Sequence, residues 1–340
     1  MMWELIGVII RLLLSPPVFA PLIYPGLVTV LVILVSLIWL ERKIAAKVQL
    51  RYGPYYIAKR LGGAPQLIAD AIRFMFQEVI VPRTADKVPY LLAPVLAMTL
   101  GLVPVVFIPV APGFAGVPSG YSLPLALALS SLLPIVVILM AWSANNKFTV
   151  QGGVREAFMV IAYEIPLFVA ALSMGLAYET LSLEEIVERQ ALVPGAVLNP
   201  LAAFVFYVSM LMSAGKLPFD IVEGEQEIVA GPFTEYSGIL YGLVMGAGYV
   251  QLYVLSMIFA EVFLAGWHPF IGSLGALYLP LGGLALFVKA YLVLAFSVFL
   301  RSVYGRYRLD YALRIGWERL FPLSVLALFL SLGLRVVGVV

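Results

Sequence analysis

Hydrophobic residues run along this chain in long unbroken blocks rather than in alternation. Eight blocks are long enough to cross ~30 Å of hydrocarbon as helices, near 19–40, 89–111, 122–142, 157–177, 198–214, 237–265, 279–300 and 319–338. Unbroken runs select helices over the alternating strands of a barrel. The pattern predicts an all-α integral membrane protein with about eight transmembrane helices in one membrane domain spanning residues 1–340. The sixth block exceeds a simple span and predicts tilt or a kink. Residues 1–18 open with a short apolar stretch carrying Glu4 and Arg11 before Pro16-Pro17, and read as an interfacial segment with no removable signal pattern.

The polar stretches differ between the two faces that alternating spans create. Loops 41–88 and 212–236 are long and charged, whereas the loops of the other face are short and nearly uncharged. The exception there is YETLSLEEIVERQALVPG, where Thr180 or Ser182 is placed to cap a short helix with Glu184 and Glu185 in its first turn. Within 41–88, PQLIADAIRFMFQEVI has helical amphipathicity. Leu67, Ile68, Ala71, Ile72, Met75, Phe76 and Val79 form an apolar face, Asp70, Arg73 and Gln77 a polar one, and Pro82 is expected to end it. Such a helix lies in the membrane interface or under a partner.

Composition agrees: 63% of residues are hydrophobic, 12% are charged, and the mean hydropathy is +1.04. There are no cysteines and one histidine, His268, which excludes disulfides, thiolate-held clusters and multi-histidine metal or haem sites. His268 itself reads as an interfacial residue or a proton relay. Of 21 basic residues, loops 41–88, 143–155, 212–236 and 301–319 hold nine, two, one and five. The positive-inside rule puts that face in the cytoplasm and the N-terminus outside the cell membrane. Few Asn and Gln point to a thermophilic prokaryote.

Acids near hydrocarbon carry the candidate chemistry. Residues 214–238, AGKLPFDIVEGEQEIVAGPFTEYSG, hold Asp220, Glu223, Glu225, Glu227 and Glu235 with one cation, Lys216. A helix over 218–229 would align Asp220, Glu223 and Glu227, and mutual repulsion would lift their proton affinity. Glu164 in IAYEIPLF sits beside Pro166, whose missing N–H frees a carbonyl that suits water. Glu261 lies near the outer end of the sixth block. Lys289 lies within the seventh block, and pairs with Glu164 or lies on a path for protons or ions.

Five blocks in order carry a resemblance: ERKIAAKVQLRYGP, QLIADAIRFMFQE followed by ADK, GGVREAFMVIAYEIP, LPFDIVEGEQEIVAGPFTEYSG and RYRLDYALRIGWERLFP. Over roughly residues 20–322 the chain resembles the membrane component of complex I (NADH:quinone oxidoreductase) that adjoins the quinone site, known as the H subunit in bacteria and as subunit 1 in mitochondria. The resemblance implies a component of a redox-driven ion pump that does no chemistry alone, with quinone as bound substrate and no cofactor held covalently or by metal. It implies peripheral redox-arm subunits, small membrane subunits, antiporter-like subunits and lipid as partners, and no nucleic acid. By position, Arg42, Gln49, Arg51, Asp70, Arg155, Phe219, Asp220 and Phe233 are expected at the quinone chamber. Glu164, Glu223, Glu225, Glu227 and Glu235 are expected on an acidic path, with Asp220 and Lys289, and Tyr163 and Tyr236 beside it. Arg301, Arg306 and Arg308 are expected against the peripheral arm.

The chain departs from that pattern at three places. Tyr55 follows Pro54 where quinone-reducing members carry Asn, Val222 and Gly224 replace Pro and Ala, and Gly248 stands where they carry a glutamate. Homologous subunits also occur in archaeal membrane-bound hydrogenases and sulfur reductases, which keeps open an anchoring and relay role without quinone. A stand-alone secondary transporter using Glu164 and Lys289 is the reading from another class, and no paired broken helices support it.

Overall fold

The structure, a computed structural model, describes residues 15–269 and 278–337, all helix and loop apart from one isolated β-bridge. Most of the expected interfacial segment, residues 1–14, lies outside the described residues. The first span is broken: α1 (Pro16–Leu22) and α2 (Leu27–Val48) meet at a turn around Gly26, where a Cβ would sit 2.0 Å from the Pro21 carbonyl oxygen. The Pro25 carbonyl, left without a helical donor at that turn, accepts the buried Tyr253 hydroxyl at 3.0 Å.

The amphipathic helix α3 (Pro65–Phe76) ends well before Pro82. Phe74 stacks near Tyr241, and the Ile80 N–H donates to Ser237 Oγ, so the following residues run extended along the neighbouring segment. Only Leu67 of its apolar face is buried; Ile68, Ile72, Met75 and Phe76 are exposed. Helix α4 is Lys87–Leu102, continued by a 3₁₀ stretch, and α5 (Ser122–Ser130) and α6 (Leu132–Ser143) form one span with a joint at Ser131.

Helix α7 (Lys147–Ala177) starts ten residues earlier than the hydrophobic block. Asn146 caps it, accepting from the Phe148 N–H at 3.0 Å and forming a capping box with Thr149. Arg155, expected in a loop, therefore stands on the helix. Pro166 leaves the Ala162 carbonyl without its helical donor, and the space beside it is filled by backbone: a Cβ on Gly316 would lie 2.6 Å from that oxygen.

Short helices α8 (Leu183–Arg189) and α9 (Gly195–Leu198) precede α10 (Pro200–Ser213). Fourteen residues reach only ~21 Å, so α10 is shorter than the full span its hydrophobicity suggests. Its last residue, Ser213, meets Gln251 halfway along a later helix. The chain thus stops being helical inside the bundle, and α11 (Glu225–Ile228) is the only α-helical turn between α10 and α12 (Gly238–Phe263). Every residue of α12 from Tyr249 to Phe263 is buried, which makes it the central helix. Around it stand α13 (Tyr278–Val303), α14 (Leu309–Arg314), a π-helical stretch Ile315–Leu320 and α15 (Phe321–Val337). Among the described residues seven helical segments are long and apolar enough to cross a membrane, and α10 is the shorter eighth.

Candidate functional site

The two ends of the bundle sort as alternating spans require. At one end Asn146 Nδ2 donates to Glu235 Oε1 at 2.5 Å, the Tyr307 N–H to the Pro218 carbonyl, and Arg301 pairs with Glu41. At the other, the Leu183 N–H donates to Ser122 Oγ and Arg335 pairs with Glu179. The first is the charged face.

Segment 214–237 descends from that face into the bundle. It does not form the helix over 218–229 that would align its acids; helical geometry covers only Glu225–Ile228. The reason is local: Gly224 and positive-φ Val229 interrupt the backbone. Asp220 and Glu223 instead turn inward, lining a cavity of about 70 Å³ with Glu156, Ser213, Lys216 and Gly248. Asp220 Oδ1 is buried without a hydrogen bond. Burial raises the Asp220 carboxyl above its usual range, against the pull of Lys216 and Arg301. Burial and the neighbouring Asp220 push Glu223 up to about 7, so this carboxyl exchanges its proton near neutrality. Lys216 is held low, chiefly by burial and then by Arg301; its ammonium lies 3.8 Å from the centre of the Tyr249 ring. The Tyr249 hydroxyl in turn donates to Glu41 Oε2 at 2.9 Å.

Glu227 turns the other way. It bridges Arg155 at 2.5 Å and Arg306 at 3.5 Å, clamping the loop between α7 and the residues after α13. Gly224 makes room, because a Cβ there would lie 2.6 Å from the Arg306 guanidinium. Glu225 is exposed. Glu235 is bound to the residue that caps α7, and its carbonyl accepts the Tyr90 hydroxyl at 2.6 Å. Tyr236 stacks flat on Tyr90 with centroids 4.4 Å apart and lies 3.2 Å from Ser143 Oγ; burial pushes its phenol up to about 12.

Along α7, Glu156 and Tyr163 are seven residues apart and share a face. The Tyr163 hydroxyl is buried beside Glu156 and Ser213 without closing a hydrogen bond to either. Ser213 Oγ accepts from Gln251 Nε2, which also donates to the Ser130 carbonyl, and Glu164 faces Ser131. A polar strip therefore leads from the cavity into the bundle. Lys289 is not on it. Its ammonium donates to the carbonyls of Leu264 at 2.6 Å, Gly266 at 2.9 Å and His268 at 2.6 Å, with Ala265 further off, and forms no pair with Glu164.

The expected chamber residues divide. Arg42 pairs with Asp70 at 2.7 Å and Arg51 Nε donates to Gln49 Oε1, all toward the charged surface. Phe219 packs edge-on to Tyr307. Phe233 lines the acidic cavity and also a groove of about 750 Å³ that opens between α3 and the start of α12, walled by Arg73, Phe76, Tyr236 and Tyr241. Of the arginines expected to face outward, Arg301 turns inward to Glu41 and Tyr249, Arg306 to Glu227, and Arg308 alone is exposed, beside Asp310.

Sequence reading missed Glu156, Glu41, Tyr249 and the inward turn of Lys216. The Asn146–Thr149 cap was the available signal for Glu156, since a helix begun there carries it inside the span. No sequence signal pairs Glu41 with Arg301, 260 residues apart.

A family profile described as NADH dehydrogenase matches residues 23–332. The H subunit of the F(420)H(2) dehydrogenase of Methanosarcina acetivorans is 34% identical over 312 residues, covering 87% of this chain and 88% of that one. The H subunit of the NADH-quinone oxidoreductase of Dehalococcoides mccartyi is 36% identical over 304 residues, 89% and 82% of the two chains. Its counterpart in Carboxydothermus hydrogenoformans is 32% identical over 296 residues, 87% and 83%. With five ordered sequence blocks, an all-helical membrane fold and a profile that spans almost the whole chain in agreement, the protein belongs to the NADH dehydrogenase family, that of the complex I H subunit.

Proposed function

We propose that this chain is the membrane subunit of a complex I-like, redox-driven ion pump in a prokaryotic cell membrane. In this reading the groove between α3 and α12 admits a quinone, and the acidic cavity behind Phe233 converts its reduction into proton movement. The observation that carries it is the shared wall: Phe233 lines both the groove and the cavity that holds Glu223. Reduction of a quinone to a quinol takes up two electrons and two protons. Electrons come from peripheral redox-arm subunits, which dock on the charged face near Arg308 and the Arg42–Asp70 pair. Negative charge arriving near the groove favours protonation of Glu223, the acid poised near neutrality. The change passes through Glu156, Tyr163, Ser213 and Gln251 toward Glu164, and from there to antiporter-like and small membrane subunits. Lys289, spent on carbonyls, has no part in this path.

Gly248 favours a second reading. A Cβ there meets nothing within 4 Å, so the place of the family glutamate is open and the relay has one acid fewer. A hydrogenase-like or sulfur-reducing complex that only anchors and relays would need no more. Purification of the intact complex in mild detergent, with identification of its partners and extraction of bound quinone, separates the two. Stoichiometric quinone supports the pump with a quinone site; a hydrogen- or sulfur-metabolising partner without quinone selects the relay. In either complex, Glu156→Gln is expected to stop ion movement, and unimpaired pumping by that variant would remove the path.

A further inference from the structure

The central helix α12 carries a second buried acid at its other end. Gly248 lines the acidic cavity; Glu261 lies thirteen residues on, ~20 Å away toward the uncharged face. Glu261 has no exposed surface, and neither carboxyl oxygen has a hydrogen-bond partner. A carboxylate in that position would be an uncompensated charge inside a membrane protein, a costly state.

The surroundings are built rather than loose. The Gln190 side chain donates to the Glu261 carbonyl at 2.7 Å and to that of Ile186 at 3.2 Å, and accepts from the N–H groups of Gly195 at 2.9 Å and Ala265 at 3.1 Å. All four of its hydrogen-bonding positions are filled, two of them by the backbone that carries the acid. Among the described residues the cations of this face are committed elsewhere: Lys289 to carbonyls past the end of α12, Arg189 to the Tyr178 carbonyl, Arg335 to Glu179. Among the described residues the titratable groups within electrostatic reach of Glu261 are the phenols of Tyr24 and Tyr253 and the carboxyl of Glu184. Both phenols already donate, to the carbonyls of Gly283 at 2.7 Å and Pro25 at 3.0 Å. Among the described residues no positive charge balances the acid, and the group it meets toward the surface is another acid. Between Gln251 and Glu261 the polar side chains of α12 are Tyr253 and Ser256, and the Ser256 hydroxyl donates to the Leu252 carbonyl. The polar strip on the charged side therefore does not reach Glu261.

We propose that Glu261 is a proton-holding site that exchanges with the uncharged face, past Glu184, and is separate from the path through Glu223 and Glu156. By the sequence charge distribution this face is the outer one, which makes Glu261 a place where a proton is held before release outside. The proposal does not rest on the quinone reading, since it concerns only the protonation state and accessibility of this carboxyl.

The test is infrared spectroscopy of the intact purified complex, wild type against Glu261→Gln, in H₂O and D₂O. The expected result is one protonated-carboxyl C=O band present in the wild type, shifted by deuterium and absent from the variant. Glu261→Asp, which keeps the acid, is expected to return the band at a moved frequency. A wild-type spectrum in which the variant instead removes a carboxylate band, or a carboxylate band that moves with sodium, would overturn the proposal in favour of an ionised or cation-bound side chain. Donor-to-acceptor turnover of the Gln variant serves as the check on folding and assembly.

Discussion

Replacing Lys289 with Met is the sharpest test of how the uncharged end of the bundle is held. The ammonium makes three short bonds, to the carbonyls of Leu264, Gly266 and His268, and a longer one to Ala265. These carbonyls lie where α12 has ended and no further helical N–H groups are available. Three bonds valued at ~0.6 kcal/mol each, the average for polar contacts between membrane helices, give ~2 kcal/mol. Valued as charge-assisted bonds at ~1.5 kcal/mol, they give ~4.5 kcal/mol. The side chain is only partly buried, and water entering from the nearby face can replace some of the lost donors, so the lower half of that range is expected. A loss of ~2–3 kcal/mol raises local opening ~30- to 150-fold. Hydrogen exchange of the amides over 260–268 in the purified complex, read by mass spectrometry, measures it directly. Turnover and ion movement at moderate temperature should persist, because the clamp lies off the polar strip. Unchanged exchange together with lost coupling would refute the reasoning and put Lys289 back on an ion path.

Three further outcomes follow from named contacts. The Glu223 carboxyl is raised from 4.5 to about 7, so the folded state holds more protons than the unfolded one across that interval, and stability falls as pH rises through it; thermal inactivation of Glu223→Gln should lose that slope, and a parallel pH profile would contradict it. Gly248→Glu has room for its Cβ and places an acid in the cavity with Asp220 and Glu223; turnover should survive with its alkaline limb moved to higher pH, whereas an unfolded variant would mean that the cavity cannot accept it. Gly316→Ala drives a methyl to 2.6 Å from the Ala162 carbonyl oxygen and should lower the inactivation midpoint by the equivalent of ~1–3 kcal/mol; an unchanged midpoint would show that α7 and the π-helical stretch are free to separate.

The sequence made the spans legible because a membrane helix writes itself as a hydrophobic run, and each of the eight runs is helical in the structure. What it hid were helix ends set by polar contacts. Asn146 starts α7 ten residues upstream of the hydrophobic run, and that extension brings in Glu156. Ser237 draws the Ile80 N–H away and ends α3 early. Among the site residues, the inward acids Asp220 and Glu223 were legible as a cluster, but their separation from Glu227 was not. Sequence spacing assumed a helix, and the backbone breaks at Gly224 and at positive-φ Val229 instead. The arginines at and beyond the end of α13 were read as outward anchors by count; their partners Glu41 and Glu227 come from distant segments that no local pattern connects.

The short helix α10 has an electrical consequence. Because it stops level with Gln251, Lys216 stacks on Tyr249, eleven residues and ~16 Å down α12 from Gly238. The acids beside it therefore sit within the bundle, next to the Glu41–Arg301 pair of its charged end, rather than on its surface. A full charge crossing the membrane potential gains ~2.3 kcal/mol per 100 mV, so a proton that enters from the charged face to Glu223 crosses a part of that drop. Protonation of this loop is then voltage-dependent, by less than the ~1.7 pH units per 100 mV of a full crossing, and an energised membrane sets the driving force at which the site fills.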